Sequence, residues 1–252
     1  MTGTQFRDYI HGATPLVGQL GLTHVTDCAY LAGLVASRKL EPRPCNVYGE
    51  PLVYLFYGRP AYRSKWDQGT TTVLGYARIC LILRDEVASL AHRILPFDSG
   101  GFPHFGSALH HSLTRADFEV DPADHPLKIA GAFYDSLENY WEVKPRDGMN
   151  FPITQNVVQS YYHLISGGFH EQFDDRCGAI EVQVKEPIEL KDRIVALIAP
   201  NQVFEDPAVK ELLEESGAEA RGYRITRMFN PSEVSGQLLS EVARFLEDRT
   251  WL

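Results

Sequence analysis

The chain has 252 residues, 44% of them hydrophobic, enough to bury a substantial core without a disulfide or metal staple. Its net charge of −9 argues against broad electrostatic attraction to nucleic acid, and no run approaches the roughly 20 uninterrupted apolar residues of a membrane span. The four scattered cysteines, Cys28, Cys45, Cys80 and Cys177, form no CxxC pair, so free thiols and a soluble, cytoplasmic protein are expected. The opening MTGTQFRDYIHGAT has neither a basic leader nor an apolar signal core.

The predicted elements begin with a strand at Leu22 to Thr26, after which Thr26 or Asp27 caps a helix whose stripe is Leu31, Leu34 and Val35 and which stops before Pro42. Leu52 to Tyr57 reads as an aromatic, β-branched strand ended by Gly58 and Pro60. A further strand covers Ala77 to Leu83, with a short segment through Ile94. Residues 96 to 126 are dense in Gly, Pro, His and Asp and read as a long irregular insert, the usual form of a functional loop or a mobile one. Helices are expected at Leu127 to Trp141 and Thr154 to Ile165. In CGAIEVQVKEP, Ile180, Val182 and Val184 alternate with Glu181, Gln183 and Lys185, as in a strand with one buried and one polar face, and RIVALIAP follows as another strand. Asp206-Pro207 and Asn230-Pro231 start two closing helices. No repeat or linker divides the chain, so residues 1 to 252 are expected to form a single domain.

Charge is uneven along this order. Residues 1 to 84 carry nine Lys/Arg against five Asp/Glu, a net of +4 that leaves −13 for the remainder. A basic face in the N-terminal part suits a phosphate-bearing ligand, although an uneven solvated surface explains the same numbers.

Three distant pieces make chemical sense together. His24 and Thr26 point to one side of their strand and can converge on a ligand, though a strand histidine commonly serves structure alone. Arg59, between Gly58 and Pro60 at a strand end, offers a planar guanidinium to a phosphate or carboxylate, and Tyr54, Phe56, Tyr57 and Tyr62 offer stacking surfaces; a surface ion pair is the plainer alternative. Glu181, with Gln183 on its strand face, is a carboxylate among apolar neighbours. If that face lines a cleft, it can steady an oxocarbenium ion and take a proton from a nucleophile.

The order and texture of LTHVTDCAYLAGLVASRKLEP, LVYLFYGRPAYRS and AIEVQVKEPIEL resemble the DarT-like branch of the ADP-ribosyltransferases over residues 20 to 66 and 176 to 200. The resemblance implies an α+β fold with a split mixed β-sheet core and flanking helices, and NAD as co-substrate with no metal. It implies NAD contacts from His24, Thr26, Tyr54, Phe56, Tyr57, Arg59 and Tyr62, with Arg59 and Glu181 as the catalytic pair. It also implies a nucleic-acid or protein acceptor, to which Arg63, Lys65, His110, His111 and Gln183 are assigned, no membrane, and an inhibitory or activating protein partner. The chain departs from the family in having no asparagine among Cys28 to Tyr30. Two rival readings are a non-catalytic nucleotide- or partner-binding module of the same fold and a metal hydrolase built on Asp98, His104, His110 and His111, whose spacing lacks a common zinc pattern.

Overall fold

The computed structural model describes residues 5–61, 69–167 and 175–252; Tyr62, Arg63 and Lys65 lie outside them. The chain is a mixed α/β fold around an eight-stranded sheet. Its strands are β1 (Leu22–Asp27), β3 (Arg43–Pro44), β4 (Pro51–Tyr57), β5 (Arg78–Leu83), β6 (Arg93–Leu95), β7 (Glu181–Val184), β9 (Ile194–Pro200) and β10 (Glu219–Tyr223), while β2 (Lys39–Leu40) and β8 (Ile188–Glu189) make a separate ribbon. The order across the sheet is β10-β9-β5-β1-β4-β7-β6, with β3 beside β4. Among the described residues only the β9/β10 pairing is parallel.

Around it stand α1 (Gln5–His11), α2 (Leu31–Ser37), α3 (Phe102–Phe105), α4 (Pro126–Phe133), α5 (Leu137–Trp141), α6 (Asn156–Ile165), α7 (Pro207–Ser216) and α8 (Pro231–Asp248). Among the described residues no helix is long and apolar enough to cross a membrane. The two proline-led helices begin as expected, with the Asp206 and Asn230 side chains accepting from the N–H groups of Ala208 and Ser232 at 2.8 and 2.9 Å. Val234, Leu238, Val242 and Phe245 give α8 a stripe at three- and four-residue spacing, packed on β5, β9 and β10. The helix expected over Leu127 to Trp141 is two helices, because Tyr134 is extended and Ser136 starts a new one by accepting from Asn139 N. Asp27 caps nothing; its carboxylate pairs with the cross-strand Arg78. The four cysteines are free thiols.

Residues 96 to 126 carry little regular structure yet are firmly seated. Phe97, Phe105 and Phe118 are buried there, and Phe97 and Phe118 meet Phe6 and Tyr161 edge-on or tilted in an aromatic cluster shared with α1 and α6. The Tyr161 hydroxyl donates to the Pro96 carbonyl at 2.9 Å.

The sheet is interrupted at its middle. β1 pairs with β5 over all six residues, from Leu22↔Leu83 to Asp27↔Arg78, but with β4 only at Leu22↔Tyr57 and Thr23↔Phe56. Beyond that point β4 keeps its register with β7, from Val53↔Val184 to Phe56↔Glu181, and leaves β1 behind. Side chains take over from the missing ladder: Thr23 Oγ donates to the Phe56 carbonyl at 3.1 Å, and His24 Nδ1 lies 2.8 Å from the Tyr54 carbonyl. Gly58 closes the paired end with φ +62° and its N–H on the Gly21 carbonyl at 2.8 Å; a Cβ there would stand 2.7 Å from Leu20.

Candidate active site

A cavity of about 870 Å³ opens where β1 and β4 part. His24 and Thr26 of β1, Tyr54 and Phe56 of β4, Tyr30 before α2 and Gly33 within it, Arg43 of β3 and Cys45 just after it, and Asp98 and Arg176 are among the residues that line it. Four of the residues expected to hold a ligand, His24, Thr26, Tyr54 and Phe56, therefore share one cavity wall.

His24 Nδ1 faces a carbonyl, which only accepts, so the neutral ring carries its proton on Nδ1 and keeps Nε2 as an acceptor. Burial lowers its pKa, with Arg43 pushing the same way and the Tyr54 carbonyl opposing, so the neutral form prevails at pH 7. The Tyr54 hydroxyl meets Cys45 Sγ, and its pKa is raised, chiefly by burial. Arg43 lies over the Tyr30 ring at 3.7 Å and makes no ion pair among the described residues, whereas Lys39 pairs with Glu189 at 2.7 Å and Arg176 stands 3.6 Å from Asp98. Cations, aromatic faces and a neutral imidazole thus converge on a space of ligand size.

Glu181 lies behind this wall and is fully buried, as is Gln183, so both faces of β7 are covered and neither is the wet face expected of an alternating strand. Its Oε2 accepts from Ser99 N at 3.0 Å and Ser99 Oγ at 3.1 Å, and its Oε1 from Gln183 Nε2. Desolvation outweighs these three donors and, with the like charge of Asp98, pushes the carboxyl up to about 8. Ser99 is in turn held by Arg115, whose Nε donates to its carbonyl at 2.8 Å.

Arg59 is placed differently. Beyond the Gly58 turn its guanidinium donates to the Trp141 carbonyl and pairs with Asp175, and it is not among the residues lining the cavity. Arg59 and Glu181 are thus not joined in one cavity wall. Tyr57 turns away from that wall into the core, where its hydroxyl accepts from Leu20 N and its ring meets His125 edge-on. His110 and His111 are exposed, with ring centres 4.2 Å apart, and do not line the cavity. Gln183 holds Glu181 from behind rather than touching the cavity. No cluster of three or more His, Cys, Asp or Glu able to hold a metal occurs among the described residues.

Sequence reasoning singles out Asp98 only as a metal ligand, counts Arg43 only within a basic N-terminal part, and misses Tyr30, Cys45, Ser99 and Arg176 as site residues. Their common signal is weak, because each reaches the cavity through tertiary packing, although Cys45 and Arg43 flank a proline as a backbone forced away from helix would allow. No protein-family model matches the chain, and no curated protein matches it either.

Proposed function

We propose that the cavity binds NAD and that the chain transfers ADP-ribose to a macromolecular acceptor, nucleic acid or protein, in the cytoplasm. The interrupted sheet is read as the split core of an ADP-ribosyltransferase-like fold. One observation carries the proposal: a fully buried carboxyl, raised to about 8 and held by three donors, stands opposite cavity-lining Phe56 in the β4/β7 register and is bonded to Ser99, between the lining residues Asp98 and Gly100. Titratable groups displaced this far and set beside a cavity are the usual mark of acid–base chemistry.

In the proposed reaction the C–N bond between ribose and nicotinamide breaks, its electron pair leaving with the nicotinamide. The cationic ring and the charge growing on the ribose carbon lower the pKa of Glu181, so that its ionised form steadies the oxocarbenium ion. The acceptor's oxygen or nitrogen then bonds to that carbon as Glu181 takes its proton. Arg43 and Arg176, rather than Arg59, supply the cations for the diphosphate, while Tyr30, Tyr54 and Phe56 supply the flat surfaces.

The test is nicotinamide release from NAD by the wild type and by Glu181→Gln, with label from NAD followed into protein, DNA and RNA fractions. Loss of release with retained NAD binding in the variant supports transfer; a wild type that neither binds nor cleaves NAD ends the proposal. Ser99 covering Glu181, and Arg59 engaged by Trp141 and Asp175, favour a second reading as a nucleotide-binding module without turnover. Under that reading NAD binds, the wild type releases no nicotinamide and Glu181→Gln changes nothing.

A further inference from the structure

The Gln183 amide can meet Glu181 with either of its two ends, and its neighbours decide which: Ser99 Oγ lies 3.4 Å from Nε2, and Arg93 holds the other end. Its Oε1 accepts from Arg93 Nη1, which leaves Nε2 to donate to Glu181. Arg93 stands opposite Gln183 in the β6/β7 register, with Nε 3.1 Å from Glu119, Nη2 3.2 Å from Glu50 and the guanidinium 4.0 Å over the Tyr48 ring. A planar fork held from these sides has one orientation, which an ammonium would lack. Without it only the long contact to Ser99 Oγ opposes a turn of the amide, which would present a carbonyl that only a protonated Glu181 can satisfy.

We propose that Arg93 is a positioning residue that acts through Gln183, fixing the amide so that an N–H meets Glu181 and the carboxyl stays ionisable. The inference rests on Glu181 being the reacting group of the proposed transfer, although the device itself operates without any ligand.

The other groups around Glu181 set the background. Asp98 opposes its ionisation from the segment after β6 and is itself near Arg176; Tyr54 of β4 and Tyr48 before it are phenols kept neutral by burial. Glu50 and Glu119 offset the charge of Arg93, with His92 and Lys185 also facing Glu50 at 3.8 and 2.8 Å. Ser99 and Gln183 are therefore the donors that favour the anion; the Ser99 hydroxyl can also accept from the neutral acid by rotating, whereas the Gln183 amide does so only by turning over.

The experiment follows the Glu181 carboxyl by NMR in protein carrying carbon-13 at glutamate Cδ, with Glu181→Gln assigning the signal and no NAD present. The midpoint is expected to rise by about one pH unit in Arg93→Met and in Gln183→Met, with Arg93→Lys between them and the wild type. An unmoved midpoint in either methionine variant overturns the proposal. If Arg93→Met does not fold, judged by circular dichroism, Arg93→Lys decides in its place. In NAD cleavage the same variants should lose about tenfold in kcat at neutral pH, with KM unchanged, and recover it at about pH 9.5. A loss that alkali does not rescue also overturns the role. A wild type inert toward NAD removes the transfer reading and leaves the titration to judge Arg93 by itself.

Discussion

The two sides of β1 differ as a core differs from a site. Toward β5 the pairing is unbroken and every residue of Arg78 to Leu83 is buried, so the backbone is satisfied by its neighbour and packing does the rest. Toward β4 the ladder stops after two pairs, and the space it leaves is filled by the His24 ring, the Thr23 hydroxyl and a cavity. The chain thus obtains a cavity by giving up pairing, and His24, which bridges the gap to the Tyr54 carbonyl, also lines that cavity.

Several changes would break or sharpen that contrast. The largest effect is expected on the β4/β7 side, where Glu181→Gln should lower NAD turnover by about 10² to 10⁴, the range of a lost general base, with folding intact by circular dichroism. On the β5 side Leu81→Ala should instead cost about 2 to 5 kcal/mol of stability in a denaturant titration, the range for a large-to-small change in a closed core.

Next comes the pH dependence of folding. Unfolded Glu181 ionises near 4.5 while the folded chain holds its proton up to about 8, so across that window the native state binds more protons and stability falls as pH rises, levelling off above it. Thermal melts of Glu181→Gln should lack this decline, and parallel curves for the two proteins would contradict the buried, protonated carboxyl. Arg59→Ala should destabilise by about 1 to 3 kcal/mol through its bonds to Trp141 and Asp175 while sparing NAD affinity, which calorimetry would measure. The smallest effect is that of Arg43→Ala, about a tenfold loss of NAD affinity with the melting temperature unmoved.

Much of the scaffold is legible in the residues themselves. Strands β1, β4, β5 and β9 and both proline-led helices sit within a residue or two of where periodicity and capping put them, because those signals are local, whereas α2 starts at Leu31 rather than at the cap expected at Thr26 or Asp27. β10 goes unread since Glu219 to Tyr223 is polar and pairs only through β9, and the two-residue strands β2, β3 and β8 leave no pattern at all. The site divides in the same way. His24, Thr26, Tyr54 and Phe56 announce themselves by alternation along strands that part, and Glu181 by being a carboxylate among apolar residues. The direction of Arg59 depends on the Gly58 turn and on Trp141 and Asp175, far away in sequence, and Ser99 reaches Glu181 only because Phe97 and Arg115 anchor its segment.

The parting of β1 from β4 also offers a way to watch the cavity without knowing what fills it. Amides on the facing edges of these strands lack a ladder partner past Thr23, so they should exchange with deuterium far faster than those shared with β5. Any molecule that seats between the two edges should slow that exchange, making the gap its own reporter in a screen of small metabolites.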